Sequence, residues 1–149
     1  MKKIALLLAA LILSGCVTVK IPKYIKDTAP YTKKFYANFE DALAAARQAL
    51  GDEGWKISEV ANPAIFEQTP ATDPNKKQIV IFTETRQTPF IFSSRYMTVN
   101  VFLRNADDGT DVEVRYAAVT PMLFKNTNNY KNDPVVNKIL NRISELLNK

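Results

Sequence analysis

No histidine occurs in the 149 residues, and cysteine occurs once, as Cys16. The first absence removes the Ser–His–Asp and Cys–His nucleophile arrangements. Together with the scarcity of cysteine it also removes the usual zinc sites. A single cysteine permits no disulfide within the chain, so the stability of any domain here must come from packing. A membrane-spanning apolar run is missing too. Residues 4–13 are all Ile, Ala or Leu, which is about half of the roughly 20 residues a spanning helix needs.

Net charge is absent from most of the chain. Of the 20 basic and 15 acidic side chains, Lys2 and Lys3 lie at the very start, and Lys20, Lys23, Lys26, Lys33 and Lys34 face only Asp27 over residues 17–36. Residues 37–149 hold 13 basic and 14 acidic side chains. A nucleic-acid reader carries its positive charge on the folded domain, so nucleic acid is not expected as a partner.

Lys2 and Lys3, the apolar run 4–13 and the small residues Ser14 and Gly15 form the three parts of a secretory signal. Leu13-Ser14-Gly15-Cys16 resembles the lipobox of bacterial lipoproteins at all four positions: Leu, a small residue, Gly or Ala, then Cys. The resemblance implies that Leu13, Ser14 and Gly15 are read by the export machinery and that residues 1–15 are cleaved. It also implies that the Cys16 sulfur takes a diacylglyceryl group and that its new amino group is acylated. Each buried methylene contributes about 0.8 kcal/mol and one chain holds only reversibly, so two or three chains anchor stably. In that family an Asp after the lipidated Cys retains the protein at the inner membrane. Val17 stands there in this chain, which implies the outer membrane, facing the periplasm. The alternative is an ordinary signal peptide with a chance cysteine.

Residues 16–37, with Pro22 and Pro30 among scattered Lys and Thr, read as the lipidated Cys followed by an extended basic tether, with residues 18–21 available as a short edge strand. Fully extended, such a tether reaches about 60–70 Å. Its lysines favour anionic lipid headgroups, with a solvated spacer as the alternative.

Residues 38–149 read as a single domain. Asn38 caps a helix over residues 39–50, with Glu40 and Asp41 in its first turn, Phe39, Leu43, Ala46 and Leu50 as its stripe, and Gly51 as its stop. Short strands are predicted from Trp55 to Val60 and over 64–68, and longer ones over 78–85, 95–104 and 111–120. Asp107-Asp108-Gly109 makes the hairpin turn between the last two. Residues 125–133 read as a polar loop. A second helix then starts at Pro134 with Asp133 as cap and carries Val135, Ile139, Leu140, Ile143, Leu146 and Leu147 as its apolar stripe. The predicted fold is α+β: two layers, an antiparallel sheet of about five strands, and N- and C-terminal helices on one face. In element order, with an Ala-rich helix leading through Gly54-Trp55 into a strand, the domain resembles the helix-grip modules of periplasmic lipoproteins such as BamC. No functional residue is carried over from that likeness.

Two apolar segments stand where polar loops are expected: Phe90, Ile91 and Phe92 after Pro89, and Met122, Leu123 and Phe124 after Pro121. If exposed they form a partner contact; the alternative is that they fold back over the core. Glu59 and Glu67 on neighbouring strands could make an acid–base pair, or stand separately in solvent. The cluster Asp107, Asp108 and Asp111 lacks the spacing and the closing Glu of a calcium loop. Trp55, Tyr96, Phe102 and Tyr116 could line a cleft, or belong to the core. No metal and no cofactor beyond the lipid on Cys16 is expected. The expectation is a non-enzymatic envelope lipoprotein acting as a protein-interaction or assembly accessory module, with a carrier or sensor of a hydrophobic or lipid ligand as the alternative.

Overall fold

The two cleanly alternating stretches build the centre of the fold. In the computed structural model, which describes residues 19–67, 76–90, 93–122 and 125–149 apart from the Phe90 side chain, they become the longest strands. In chain order the elements are β1 (Tyr31–Phe35), α1 (Phe39–Asp52), β2 (Ile57–Ala61), a 3-10 turn (Pro63–Ile65), β3 (Gln78–Thr83), β4 (Arg86–Phe90), β5 (Ser93–Ala106), β6 (Gly109–Pro121), β7 (Asn126–Asn129) and α2 (Asp133–Leu147). The domain is α+β, an antiparallel sheet of seven strands with two helices.

The strand count is seven where about five were predicted. Along the order β1-β6-β5-β3-β2, two positions are each shared by two strands. β3 pairs with the end of β5 and β4 with its beginning, with a one-residue shift in register between Gln78↔Arg104 and Arg86↔Met97. β1 and β7 likewise divide one side of β6. Of the strand predicted over 64–68, the described residues 64–67 form none. Pro63–Ile65 is a 3-10 turn closed by the Asn62 side chain, which accepts from the Ala64 N–H at 3.0 Å.

The hairpin between β5 and β6 turns at Asp107 and Asp108, with Ala106 opposite Gly109. Glycine is required there because β1 passes close by: a Cβ on Gly109 would run into the Phe35 carbonyl oxygen. β1 itself overturns part of the tether expected over 16–37, since residues 31–35 are a sheet strand and Phe35 is buried. Of the edge strand expected over 18–21, residues 19–21 form none and Thr18 lies outside the described residues.

The sheet and both helices share a buried core. Met97, Val99, Val101 and Leu103 of β5 and Val112, Val114, Tyr116 and Ala118 of β6 share one buried cluster with Ala42, Ala46, Ala49 and Leu50 of α1 and Val136, Ile139 and Ile143 of α2. The thin alanine face lets α1 lie close to the strands. Asn38 caps α1 as expected, accepting from the Asp41 N–H at 2.9 Å. The cap of α2 is Asn132 and not Asp133: its side chain accepts from the Val135 N–H at 3.2 Å, and Asp133 is the first helical residue.

Candidate functional site

The other side of the sheet carries the site. Alternation that sends Val99, Val101 and Leu103 to the helices sends Asn100 and Phe102 the opposite way, and on β6 it does the same to Glu113 and Arg115. Charged residues in mid-sheet need partners if they are buried. They find them in the chain that runs in from the N-terminus.

Residues 23–25 cross this face as a strap. The Ile25 N–H donates to Asn100 Oδ1 at 2.8 Å, and Asn100 Nδ2 donates to the Lys23 carbonyl at 3.1 Å. A buried side-chain amide thus replaces the neighbouring strand the strap lacks. Ile25 is fully buried. Beside it, the Tyr24 ring stacks on Phe66 with centroids 5.2 Å apart and meets Phe102 edge-on at 5.7 Å, while Phe66 meets Phe82 at 5.2 Å. Val80, Phe82 and Phe102 form a second small core under these rings. The described part of the tether predicted over 16–37 is therefore held on the domain from Lys23 on; the correction follows from Tyr24 and Ile25, whose apolar surface the sheet covers.

Arg115 joins strap to sheet. Its Nε donates to Glu113 at 2.5 Å, Nη1 to the Tyr24 hydroxyl at 2.9 Å and the Ile25 carbonyl at 3.0 Å, and Nη2 to Glu67 at 3.0 Å. Its guanidinium lies 4.0 Å from the Phe102 ring centroid. Arg104 donates to Glu113 at 2.9 Å and faces Glu67 at 3.6 Å. Two arginines and two glutamates balance in charge, and the inner pair, Arg115 and Glu113, is nearly enclosed. Breaking such a pair by removing one partner is costly because the other is left buried and uncompensated.

The Tyr24 hydroxyl donates to Glu67 and accepts from Arg115. Burial, and then the bond to the Glu67 carboxylate, push its pKa up to about 12. Burial alone would raise the Glu67 carboxyl, but the bonds from Tyr24 and Arg115 and the charges of both arginines outweigh it and hold it below the usual range. Burial opposes the charge on Arg115 as well, and the charge and bonds of Glu113 together with those of Tyr24 outweigh it. A carboxylate held ionised in this way is a poor general acid and a good clamp. An open cleft of about 570 Å³ lies alongside, with Lys26, Asp27 and Thr28 on one wall and Phe66, Glu67 and Arg104 on the other.

The residues singled out from sequence are distributed differently. Leu13, Ser14, Gly15 and Cys16 lie outside the described residues, as do Ile91, Phe92, Leu123 and Phe124. Phe90 pairs with Ser93 at the β4–β5 turn. Met122 is 52 % exposed, and its N–H donates to the Lys125 carbonyl at 2.9 Å. Glu59 and Glu67 do not face each other: Glu59 pairs with Lys23 and Glu67 with the arginines. Asp107 and Asp108 pair with Lys76 and Lys34, and among the described residues no group of acidic, Cys or His side chains is arranged to hold a metal. Trp55 and Tyr116 belong to the helix-side core while Phe102 lies on the opposite face, so they do not line one cleft.

Sequence reasoning missed Tyr24, Ile25, Asn100, Arg104, Glu113 and Arg115. A signal was present in the hairpin register, which sets Arg115 opposite Asn100 and Glu113 opposite Phe102 in the middle of the longest strands. Together, fold and site define an α+β domain whose N-terminal segment is bolted across the sheet face away from the helices. No family model matches the chain, and no curated protein matches it either. Among the described residues no helix is long and apolar enough to cross a membrane.

Proposed function

We propose that the chain is a bacterial lipoprotein, held by acyl chains on Cys16 at the periplasmic face of the outer membrane. Its two-layer α+β domain, both helices on one face of the sheet, serves without catalysis as a protein-interaction or envelope-assembly module. The observation that best supports the interaction role is a convergence in the sheet. The pairings Tyr96↔Val119, Phe90↔Ser93 and Pro121↔Asn126 carry the β4–β5 and β6–β7 turns to the same end of the sheet. The sequence puts Phe90, Ile91 and Phe92 at one of these turns and Met122, Leu123 and Phe124 at the other, and Met122 is half exposed. An exposed apolar patch of this make-up suits another envelope protein as partner.

The carrier reading finds less support. It needs an enclosed apolar cavity, and the space between sheet and helices is occupied by Trp55, Leu103, Tyr116, Ile139 and Ile143, all buried in one cluster.

Two experiments test the two halves of the proposal. With Cys16→Ala the protein should leave the membrane fraction for the soluble one; unchanged sedimentation would refute the anchor. With Phe92→Ser and Met122→Ser together, crosslinking in the native envelope should lose its partner bands while the fold is retained. An unchanged set of crosslinked proteins would remove the interaction role.

A further inference from the structure

We infer that the strap turns the back face of the sheet, the face away from the helices, toward the lipid surface and holds it at headgroup distance. This rests on the proposal that Cys16 carries the anchor, and it replaces a long flexible leash with a short rigid mount.

The argument begins with chain length. Three residue steps separate Cys16 from Val19, so their Cα atoms lie within about 11 Å of each other whatever path the chain takes. From Lys23 the chain is held against the domain, since Lys23 and Ile25 are fastened to Asn100, and Val19 and Ile21 just before it are partly buried. Even measured to Lys23, the lipidated residue is no more than about 25 Å away. The reach of about 60–70 Å that a free tether would give is not available, because that tether is spent on the sheet. The helices lie across the sheet from the strap, so the back face is the one nearer the anchor.

Charge points to the same occupant. Lys20 and Lys26 are exposed and form no ion pair among the described residues, while Lys23, also exposed, is shared with Glu59. Unpaired lysines next to a lipid anchor favour a surface bearing anionic headgroups by about fivefold each, and the effect falls off within a Debye length. A domain mounted within that distance gains from them with its orientation fixed. A free spacer would gain as well, but it would leave the orientation of the domain undefined.

The test uses the full lipidated protein in vesicles of phosphatidylglycerol and phosphatidylethanolamine, compared with phosphatidylcholine alone. A fluorophore is attached to a single introduced cysteine, in Pro22→Cys next to the strap or in Arg47→Cys on the exposed side of α1. Flotation with the vesicles reports the anchor first; protein that fails to float overturns the anchor and the mount with it. For floated protein, energy transfer to headgroup-labelled lipid should be several-fold more efficient from position 22 than from position 47. Equal transfer from both would overturn the mount alone and leave the anchor standing. Lys20→Gln with Lys26→Gln should abolish the difference in transfer between anionic and phosphatidylcholine vesicles without preventing flotation. A difference that survives the double substitution would overturn the headgroup contact.

Discussion

Replacing Asn100 with alanine removes the side chain on which the strap closes. Asn100 is fully buried and holds both the Ile25 N–H and the Lys23 carbonyl. Each bond contributes about 1 kcal/mol net, and a buried amide left without a partner costs about 1–3 kcal/mol. The expected loss is therefore about 2–4 kcal/mol. Few other bonds hold the strap, chiefly those from Arg115 to Ile25 and Tyr24, so much of the loss should appear as local opening of residues 19–30 and less as global unfolding. A weakening of about 2 kcal/mol raises the open population about 30-fold. Tryptic cleavage after Lys23 and Lys26 should accelerate by that factor where cleavage is slow compared with reclosing. The thermal midpoint should fall by about 5–10 °C. Cleavage at Lys23 and Lys26 that is equally fast in wild type and variant would refute the strap, because a free tether is cut at the same rate whatever stands at position 100.

Three further substitutions probe the same face and the core. Tyr24 has its pKa raised from 10.0 to about 12, so its protonated form stabilises the fold. That contribution is complete below about pH 10 and is lost as pH climbs to about 12. Tyr24→Phe should therefore flatten the alkaline fall in denaturant midpoint over that window; curves that stay parallel would contradict the assignment. Glu67 is the opposite case: its lowered carboxyl stabilises above the ordinary value of 4.5, and that share is lost as pH drops through the lowered one. As pH falls below 4.5, Glu67→Gln should lose less stability than wild type when followed by urea unfolding, and an equal loss would count against the network. The Tyr116 hydroxyl is buried with no partner, so Tyr116→Phe should raise stability by about 1 kcal/mol; a lowered thermal midpoint would show that the hydroxyl is satisfied after all.

What was legible in the sequence follows from period and punctuation. β5 and β6 declare themselves because their alternation is unbroken on either side of Asp107-Asp108-Gly109, and α1 declares itself because Asn38 precedes an acidic first turn and an apolar stripe. The three missed strands have no such pattern of their own. β1 is Tyr-Thr-Lys-Lys-Phe, and its lysines look like a tether, though lysine is also what protects a sheet edge from unwanted pairing. β4 contains Pro89, which is tolerated because β4 pairs on one side only, with β5. β7 is Asn-Thr-Asn-Asn, all exposed, and exists because β6 offers it hydrogen bonds. The site was harder still. Tyr24 and Ile25 sit between Lys23 and Lys26, so their local polarity hides two residues that the sheet covers. Arg104, Glu113 and Arg115 look like solvent-facing charge until the strap and Phe66 are laid over them.

The central claim is that Cys16 begins the mature chain and carries the lipid on which the mounted domain depends. Mass spectrometry of the N-terminal peptide from membrane-extracted protein tests it most directly. The account predicts a peptide that starts at Cys16 and carries a diacylglyceryl group on the sulfur with a further acyl chain on the amino group. A peptide that starts elsewhere, or an unmodified Cys16, would contradict it.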